Sequence, residues 1–442
     1  LHRQSAQVLE LKTDSVLYRP MKRAKLVLQN LEFKDMSRLR DQFDPVRQKR
    51  LDQYTCMAVS TSGDSVYRVQ VAEEKDLMKM QPQGPKRQSV YEHEDFEWKD
   101  LTEQEAEEAV MRGEGILVLG IAGTGKSHKC KEFSDLLEGQ GKQVDKMSKT
   151  HCASERIKGV TADHWIRRHV LHGMAACDVL WVDEYGQVEH AIWSELNKLD
   201  KQFLLSGDPN QFGPIWSSLR GTEVDETRLH TSRFLHGLAS GNRLVLRTCR
   251  RSDSVLFEYY SSLIFGGVRF NTPLCDLLHE ARRMFSFSGP ARHNLCVSHK
   301  RRIQINKQLN ALHKPEIAVH IAAKAQVGQL CAAQSMWVWP GLSLLGCSQA
   351  SKKVKNNCLY TVAAIGNEHI EITSGEGRIS LSHEQAANLL RLSYARTYAS
   401  IQGTEFEDES LRLWDTSHPR FTRRHLFVAI SRARRAELVD VS

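Results

Sequence analysis

Eight consecutive residues have the composition and spacing of a loop that binds phosphate. Residues 120–127 read Gly-Ile-Ala-Gly-Thr-Gly-Lys-Ser, a complete G-x-x-x-x-G-K-[ST] pattern. The loop contains three glycines, Gly120, Gly123 and Gly125, and Thr124 lies between the last two. The glycines allow backbone conformations in which several N–H groups point at phosphate oxygens. The loop therefore predicts a binding site for a nucleoside triphosphate.

The last two residues of the loop predict that Mg²⁺ accompanies the nucleotide. Lys126 carries the charge that neutralises the β- and γ-phosphates, and Ser127 offers a hydroxyl ligand to Mg²⁺. Residues 116–119, before the loop, form an apolar run typical of a strand buried on both faces, and Phe133 and Leu137 after it lie on one helical face. This order of strand, loop and helix places the positive end of the helix dipole under the phosphates.

A second apolar strand ends in two carboxylates. Residues 181–184 read Trp-Val-Asp-Glu. At the end of a strand in a nucleotide-hydrolysing sheet, Asp183 is predicted to hold Mg²⁺ and Glu184 to orient or deprotonate the attacking water. An Asp-Glu pair alone is more typical of a solvated strand end, and its position downstream of the loop favours the catalytic interpretation. Gln211, which follows another apolar strand, is predicted to read the γ-phosphate.

Length and composition describe a multidomain globular protein. The chain has 442 residues, enough for two or three hydrophobic cores, and 41% of them are hydrophobic and 26% charged. No run approaches the roughly 18 apolar residues that a membrane-spanning helix needs. The formal net charge of +8 suits a polyanionic partner without requiring one. The first residue is Leu and no signal-peptide pattern follows, so we expect a fragment or a processed chain.

The cysteines favour reduced thiols. All ten are scattered along the chain, and none belongs to a C-x-x-C pair. This spacing argues against a zinc site and against a disulfide framework. We therefore expect a nuclear or cytoplasmic location.

The alternation of apolar strands and helices predicts an α/β fold with parallel sheets. Residues 99–240 are predicted to form a first α/β domain and residues 241–442 a second one. Short alternating β segments with turn signals, at about 322–385, predict a small β module inserted in the second domain. Residues 1–98 have no assigned role. Besides the strand before the loop, we predict strands at 66–71, 179–182, 203–205, 295–297 and 426–430, and a helical patch at 24–28.

The order of the motifs resembles that of superfamily 1 helicases, specifically the RecD/Pif-type branch called superfamily 1B. The resemblance spans about residues 100–436. Besides the loop and Asp183-Glu184, it rests on residues 150–154, 159–164, 207–214, 246–250, 394–404 and 428–434, which are similar to the family's remaining motifs and follow the family's order and spacing.

This resemblance implies a fold and an activity. It implies two RecA-like domains, with an SH3-like β insert in the second, that bind ATP and Mg²⁺ between them. Arg250 and Arg432 match the two arginines that reach the γ-phosphate from the second domain, across a cleft from the loop. Gln104 resembles the glutamine with which the family recognises adenine. Gly403 belongs to the motif at 394–404, and we assign it to the nucleotide-binding residues. The implied activity is that of an ATP-dependent DNA helicase or translocase, with a 5′ to 3′ direction.

The resemblance also implies contacts to nucleic acid. The expected partners are single-stranded DNA and its junctions with duplex DNA. The positions expected to contact them are Thr150, Thr161, His164, Phe212 and Gln402. Three aromatic residues are candidates for stacking against bases by their motif positions, namely Trp165, Phe212 and Tyr398.

Two other interpretations stay open at the level of the sequence. One is a nucleic-acid-stimulated NTPase that remodels or clamps without unwinding. The other is an RNA helicase of the positive-strand viral type, which shares the first and the sixth motif, so RNA is retained as an alternative partner. Residues 150–164 and the β module favour the DNA branch.

Overall fold

The computed structural model describes most of the chain after residue 95. It describes residues 96–171, 175–214, 218–219, 222–223, 227–323, 334–347, 353–375 and 377–442, together with five strands nearer the start of the chain. The chain divides into two compact units, of which one comprises Leu1–His93 with Trp216–Arg228 and the other Glu94–Ile215 with Leu229–Ser442.

The smaller unit contains short antiparallel strands. The predicted strand at 66–71 is confirmed at Val66–Val69, whereas the helical patch predicted at 24–28 lies outside the described residues. The described strands form two hairpin-like pairs, Ala6–Leu11 with Val16–Pro20 and Ser218–Leu219 with Thr222–Glu223, and a sheet in the order Leu31–Asp35, Cys56–Ser60, Val66–Val69.

The larger unit begins with a parallel sheet that carries the phosphate-binding loop. Within the described residues this sheet has seven strands, and each neighbouring pair is parallel. Parallel strands bring their carboxyl ends to one edge of the sheet, so the segments after the central strands meet there. The strand order is Lys99–Asp100, Asn242–Leu246, Ile116–Gly120, Gln202–Gly207, Val179–Asp183, Val144–Ser148 and Val160–Thr161.

Helices cover both faces of this first sheet, which explains its apolar strands. Val118 and Trp181 pack with Phe133 on one face, and Leu117 and Val182 pack with Trp193 on the other. The α-helices in this part of the chain are Glu103–Met111, Lys126–Gly139, His151–Arg156, Ala162–Ile166, His190–Leu196, Thr227–His230 and Arg233–Leu238, with a π-helix at Arg167–Leu171 and a 3₁₀ turn at Tyr185–Gln187.

One strand of the first sheet was assigned to the wrong domain from the sequence. The predicted second domain starts at residue 241, yet Asn242–Leu246 pairs with Ile116–Gly120 in the first sheet. Leu244 of this strand belongs to the same hydrophobic cluster as Val118. An apolar run indicates a buried strand but not the sheet in which it pairs. We therefore place the boundary between the α/β domains after Leu246.

The second α/β domain is built on a smaller parallel sheet. Its described strands lie in the order Ala395–Thr397, His293–Cys296, Leu411–Leu413 and Val439–Val441. The predicted strand at 295–297 is thus confirmed with slightly different limits. The α-helices here are Ser254–Ser262, Leu274–Met284, His299–Leu312 and Arg423–Ile430, with 3₁₀ turns at Tyr398–Ile401 and Ala436–Leu438.

The predicted strand at 426–430 is wrong, because these residues end the helix Arg423–Ile430. All five side chains from Leu426 to Ile430 are buried. A helix that is enclosed on every side has no polar face, so its sequence shows the same continuous apolar run as a buried strand.

The β module in the second domain extends beyond its predicted limits of 322–385. In the described residues its main sheet is antiparallel, in the order Gly377–Ser382, His369–Ser374, Leu359–Ile365, Ser343–Gly346 and Leu390–Leu392. The helix His383–Leu389 connects two of these strands, and Val319–Ile321 pairs with Met336–Val338 beside them. We call this region, residues 319–392, the β insert.

Two asparagines on the helix His299–Leu312 join the second sheet and the β insert. Asn306 accepts a hydrogen bond from the Ala395 N–H (2.8 Å) and donates one to the Ala395 carbonyl (3.2 Å). One turn later, Asn310 makes the same pair of bonds with the backbone of Trp337 in the insert, at 2.8 and 2.9 Å. This helix therefore fixes the insert against the second sheet. Among the helices in the described part of the chain, none has the length and apolar character that crossing a membrane requires.

We predict that Asn306→Ala destabilises the protein by on the order of 1–3 kcal/mol, since a buried N–H and a buried C=O lose their partner. The midpoint of urea or thermal unfolding measures this effect. Gln308→Ala, on the exposed side of the same helix, is the control and should leave the midpoint nearly unchanged. Equal midpoints for the two variants would contradict the role given to Asn306.

Candidate ATP-binding and hydrolysis site

The phosphate-binding loop has the backbone that its glycines predict. Gly123 and Gly125 have φ values of +85° and +92°, in the left-handed region that favours glycine. A side chain on Gly120 would lie 2.4 Å from Thr124 Oγ1, so that position also requires glycine. The Thr124 hydroxyl donates to the Ile121 carbonyl (2.8 Å) and closes the turn. The loop then enters the helix Lys126–Gly139 at its N-terminus.

Within the part of the chain that the structure describes, the Lys126 ammonium donates one hydrogen bond, to the loop itself. The lysine side chain is buried, and its Nζ donates to the Ile121 carbonyl at 3.2 Å. An ammonium group has three N–H donors, so two of them are available to phosphate oxygens.

Ser127 and Asp183 provide a pair of hard oxygen ligands at the end of the central strands. The Ser127 hydroxyl donates to Asp183 Oδ1 at 3.1 Å, and Ser206 donates to the same oxygen at 2.7 Å. A hydroxyl beside a carboxylate fits Mg²⁺, which prefers oxygen ligands and binds largely through water and substrate phosphates. The described residues contain no cluster of three or more His, Cys, Asp or Glu that could hold a metal by itself.

Glu184 is buried beside Asp183 and lies in a strained conformation. Its φ of +52° is in the left-handed region, and its side chain is buried. Burial and the negative charge of Asp183 raise the pKa of the Glu184 carboxyl, while Lys126, Arg156 and Arg432 oppose this rise. A raised pKa suits a carboxylate that takes a proton from water.

The sequence interpretation missed Arg156, which contacts both carboxylates. Its Nη2 lies 3.1 Å from Asp183 Oδ2 and 3.7 Å from Glu184 Oε1, and its Nη1 lies 3.6 Å from Glu405 Oε1 in the second domain. Arg156 ends the helix His151–Arg156, where a basic residue is common because it complements the helix dipole. That ordinary position gives no local signal of a role at the site.

Arg432 lies where the resemblance expects an arginine to approach the nucleotide. It follows the helix Arg423–Ile430, is buried, and its Nη2 donates to Gln211 Oε1 at 2.7 Å. Burial lowers the pKa of the Arg432 guanidinium to about 10, so the group stays charged at neutral pH. The hydrogen bond joins the first domain to the second one at the nucleotide site.

Arg250 reaches the loop from a different element than expected. It lies in the segment that leaves the first sheet after Leu246, and its backbone N–H donates to the Gly123 carbonyl at 2.8 Å. The expectation that it faces the loop across a cleft from the second domain is therefore wrong. Arg251, its neighbour, spans the domains instead, with its Nη1 2.9 Å from Glu405 Oε1.

Most of these residues line one cavity of about 600 Å³, and Asp183 lies behind its lining, beside Ser127. A volume of this size is typical of small-molecule sites. The described lining residues include four lysines and five arginines but only two glutamates, so the cavity attracts a polyanion. The predicted residues brought together there are Gly123, Gly125, Lys126, Ser127, Glu184, Gln211, Arg250 and Arg432.

Four residues that were assigned to nucleotide binding do not line this cavity, namely Gly120 and Thr124 within the loop and Gln104 and Gly403 outside it. Gln104 lies on the exposed side of the helix Glu103–Met111, where its amide donates to Glu108. Gly403 has a φ of +77°, and a side chain there would lie 3.2 Å from the Ala153 Cβ and 3.4 Å from Thr150 Oγ1. Gly403 thus permits close approach between the second domain and the Thr150 segment, and the adenine role of Gln104 stays a prediction.

The residues predicted to contact nucleic acid lie at or after the ends of strands in the first sheet and, in the case of Gln402, in the second domain. Thr150 caps the helix His151–Arg156 by accepting from the Ala153 N–H, and Thr161 precedes the helix Ala162–Ile166, on which His164 is exposed. The Gln402 side chain donates to the Phe212 carbonyl at 2.8 Å and so bridges the two domains.

Two of the three aromatic candidates for base stacking are core residues. Trp165 is 1% exposed, and its indole N–H donates to Asp145. Tyr398 is also 1% exposed, and its hydroxyl donates to the Trp414 carbonyl. The stacking prediction is wrong for both, because packing has enclosed them. Phe212 is partly exposed, and its ring contacts His425 edge to face.

One known family model matches part of the chain. Residues 102–224 match the model of a family described as AAA domain. This stretch contains the loop, Asp183, Glu184 and Gln211. No curated protein sequence matches the chain.

Solved structures extend the likeness to both α/β domains. The Pif1 helicase from Candida albicans is similar over 78% of this chain and 95% of its own, with 15% identity and a TM-score of 0.53. A Bacteroides Pif1 helicase in complex with ADP-AlF3 and ssDNA matches 78% of this chain and 93% of its own, with 18% identity and a TM-score of 0.53. A structure of two coordinating Pif1 helicases at forked dsDNA gives 16% identity over 78% and 92% and a TM-score of 0.57. The chain thus has the fold of Pif1-type helicases, and the predicted fold class is confirmed.

Arg156 leads to a prediction about pH. Glu184 must be ionised to accept a proton, and its pKa in the folded protein is already raised above the ordinary value. Removing the positive charge of Arg156 raises that pKa further. When the solution is acidified, Glu184 therefore becomes protonated, and hydrolysis stops, at a higher pH than in the wild type. We expect the acidic limb of kcat/KM for ATP to move to higher pH in Arg156→Gln, as measured by pH–rate profiles.

Two variants separate this effect from a general change in charge. Arg156→Lys keeps the positive charge and should leave the limb closer to that of the wild type. Lys158→Gln removes a cation from the same cavity wall without an ion pair to either carboxylate. A limb that moves equally in Arg156→Gln and Lys158→Gln would show that Arg156 has no specific effect on Glu184.

Proposed function

We propose that this protein is an ATP-dependent helicase or translocase that acts on single-stranded DNA. The observation that carries the proposal is the buried hydrogen bond between Arg432 and Gln211, which joins two α/β domains beside Lys126 and Glu184. An enzyme that only hydrolyses ATP needs no such contact between domains, whereas a motor must couple chemistry to domain movement.

The residues of the cavity account for the hydrolysis step. The loop N–H groups and Lys126 bind the β- and γ-phosphates, and Ser127 with Asp183 would hold Mg²⁺, which neutralises charge that develops on the phosphates. Glu184 orients the water and accepts its proton. Arg432 and Arg250 stabilise the negative charge of the transition state.

Two neighbouring residues link the nucleotide site to the segment that is predicted to contact DNA. Gln211 contacts Arg432 through its side chain, and Phe212 contacts Gln402 through its carbonyl. A change at the γ-phosphate that moves Gln211 therefore also moves the Phe212–Gln402 bond. This short connection supports coupling between ATP turnover and the position of the strand.

We propose that the protein moves along DNA in the 5′ to 3′ direction because of its resemblance to superfamily 1B. The similar Pif1 structures include complexes with ssDNA and with forked dsDNA. In this chain, Thr161 ends a strand of the first sheet, and Thr150 and His164 follow strands of that sheet. We propose that these three residues contact the DNA backbone.

Duplexes with single-stranded tails test the function directly. We expect the wild type to unwind DNA with a 5′ tail in the presence of ATP and Mg²⁺. Glu184→Gln should still bind nucleotide but lose turnover and unwinding by roughly 10²–10⁴-fold, since the amide accepts no proton. Strand release measured by fluorescence and phosphate release measured in parallel give both rates.

Glu195→Gln is the control, because Glu195 lies on the helix His190–Leu196 in an ion pair with Lys198. It should behave like the wild type. Unwinding of RNA duplexes alone would favour the viral-type RNA helicase, and turnover that DNA stimulates without strand release would favour the remodelling NTPase. Turnover that persists in Glu184→Gln would remove this residue as the base.

The arginines give a second, independent test. Arg432→Ala and Arg250→Ala should each lower DNA-stimulated turnover by on the order of 10³, with a much smaller change in nucleotide affinity. Arg432→Lys should restore little, because the planar fork that contacts Gln211 is lost. Arg435→Ala is the matched control, since Arg435 pairs with Glu437 outside the cavity. Normal stimulated turnover in either Ala variant would exclude that arginine from the mechanism.

A further inference from the structure

Two cysteines from different domains lie against each other beside the predicted DNA-binding segment. Cys152 Sγ is 3.7 Å from Cys358 Sγ and 3.0 Å from the Asn357 carbonyl oxygen. Cys152 belongs to the helix His151–Arg156 of the first domain, and Cys358 precedes the strand Leu359–Ile365 of the β insert. The two sulfur atoms therefore meet across the contact between the first domain and the insert.

Neighbouring contacts hold this pair in place. Lys355 of the insert forms an ion pair with Glu155 at 2.7 Å, one turn from Cys152 on the same helix. On the other side, the Asn357 amide donates to the Ser400 carbonyl at 2.6 Å. The two thiols are thus presented to each other by hydrogen bonds and an ion pair.

We propose that Cys152 and Cys358 are a redox modification site, at which a peroxide or a small-molecule disulfide converts the two thiols into a reversible disulfide that ties the β insert to the first domain. An S–S bond is about 2 Å long, so the sulfur atoms need to approach by less than about 2 Å, which is within the reach of side-chain rotation. The effect on motor activity rests on the proposed function, whereas the bond itself does not.

The two thiols differ in a way that assigns their roles. The hydrogen bond from Cys358 lowers the pKa of the Cys152 thiol, and the charge of Arg396 acts in the same direction. The same hydrogen bond raises the pKa of Cys358. Cys152 is partly exposed and Cys358 is buried. Cys152 is therefore the thiolate that meets the oxidant, and Cys358 is the thiol that reacts second.

The chemistry balances with peroxide as the two-electron oxidant. The Cys152 thiolate attacks one peroxide oxygen, the O–O bond breaks, and a sulfenic acid and hydroxide form. Cys358 then attacks the sulfenic sulfur, the S–O bond breaks, and the thiol proton leaves with the hydroxyl group as water. A thiol reductant reverses the bond by exchange.

The bond would restrict the movement that a motor needs. Cys152 lies two residues after Thr150, which is predicted to contact DNA, and Cys358 lies in the β insert. A covalent link between them prevents the first domain and the insert from separating. Stepping along DNA requires the domains to open and close, so the disulfide is expected to inhibit DNA-stimulated turnover.

The experiment treats the full chain with dilute hydrogen peroxide and maps its peptides without reduction. We expect a peptide pair joined through Cys152 and Cys358, a fall of at least about fivefold in DNA-stimulated ATP turnover, and recovery of both after dithiothreitol. Cys358→Ser should retain turnover after the same treatment. Cys347→Ser, in the same insert, is the matched control and should be inhibited like the wild type.

The outcomes separate this proposal from the proposed function. Absence of the joined peptides, or equal inhibition of Cys358→Ser and the wild type, would overturn the redox site. Joined peptides with unchanged DNA-stimulated turnover would overturn its regulatory effect. If the reduced wild type shows no DNA-stimulated hydrolysis at all, the motor function fails, while the peptide map still decides whether the disulfide forms. Thermal unfolding of the reduced Cys358→Ser protein checks that the variant is folded.

Discussion

Two buried carboxylates impose the constraint on which the rest of this structure depends. Asp183 and Glu184 lie side by side and are 1% and 6% exposed. Buried charges of the same sign are unfavourable unless cations compensate them. Burial and Asp183 raise the pKa of Glu184, and Lys126 and Arg156 from the first domain and Arg432 from the second oppose this rise. The carboxylates therefore draw together three separate segments of the chain, and one of these segments belongs to another domain. The contact that Arg432 makes with the first domain is in this sense favoured by the electrostatics of the candidate site.

The same balance explains how the site is able to respond to its ligand. Arg156 contacts Asp183, Glu184 and Glu405, while Arg251 contacts Glu405 from the segment after the first sheet. A nucleotide with its metal ion adds several charges at Asp183 and Lys126, so each of these ion pairs must readjust when it binds and again when phosphate leaves. Because Glu405 follows the Gln402–Gly403 segment, the readjustment reaches the residues that lie against Thr150 and Phe212. Under the proposed function, the chemistry of the site and the movement of the domains would thus depend on the same side chains.

The parts of the site that the sequence predicts are those in which neighbouring residues act together. The loop from Gly120 to Ser127 and the Asp183-Glu184 pair are contiguous and follow apolar strands, so their roles can be read without the fold. Arg156 could not be found in this way, since its importance comes from a tertiary contact with Asp183. Two further errors also concern tertiary structure. Residues 426–430 were predicted as a strand because a fully buried helix has no polar face and shows no periodicity. The strand at 242–246 was placed in the wrong domain because an apolar strand does not specify the strand with which it pairs. Trp165 and Tyr398 show a related limit, because a motif position does not reveal whether an aromatic ring is enclosed.

Hydrogen bonds at Asn357 connect the β insert to both α/β domains. The Ser400 carbonyl accepts hydrogen bonds from Asn357 (2.6 Å) and from the buried Arg396 (3.3 Å), and Arg391 donates to the Asn357 side chain at 3.2 Å. Asn357 has a φ of +63° and directs its carbonyl to Cys152. Hydrogen bonds to backbone groups therefore hold the turn at Asn357 between Cys152 of the first domain and Ser400 of the second. A hydrogen bond contributes on the order of 1 kcal/mol, so the proposed disulfide would attach the insert to the first domain much more firmly than these bonds do.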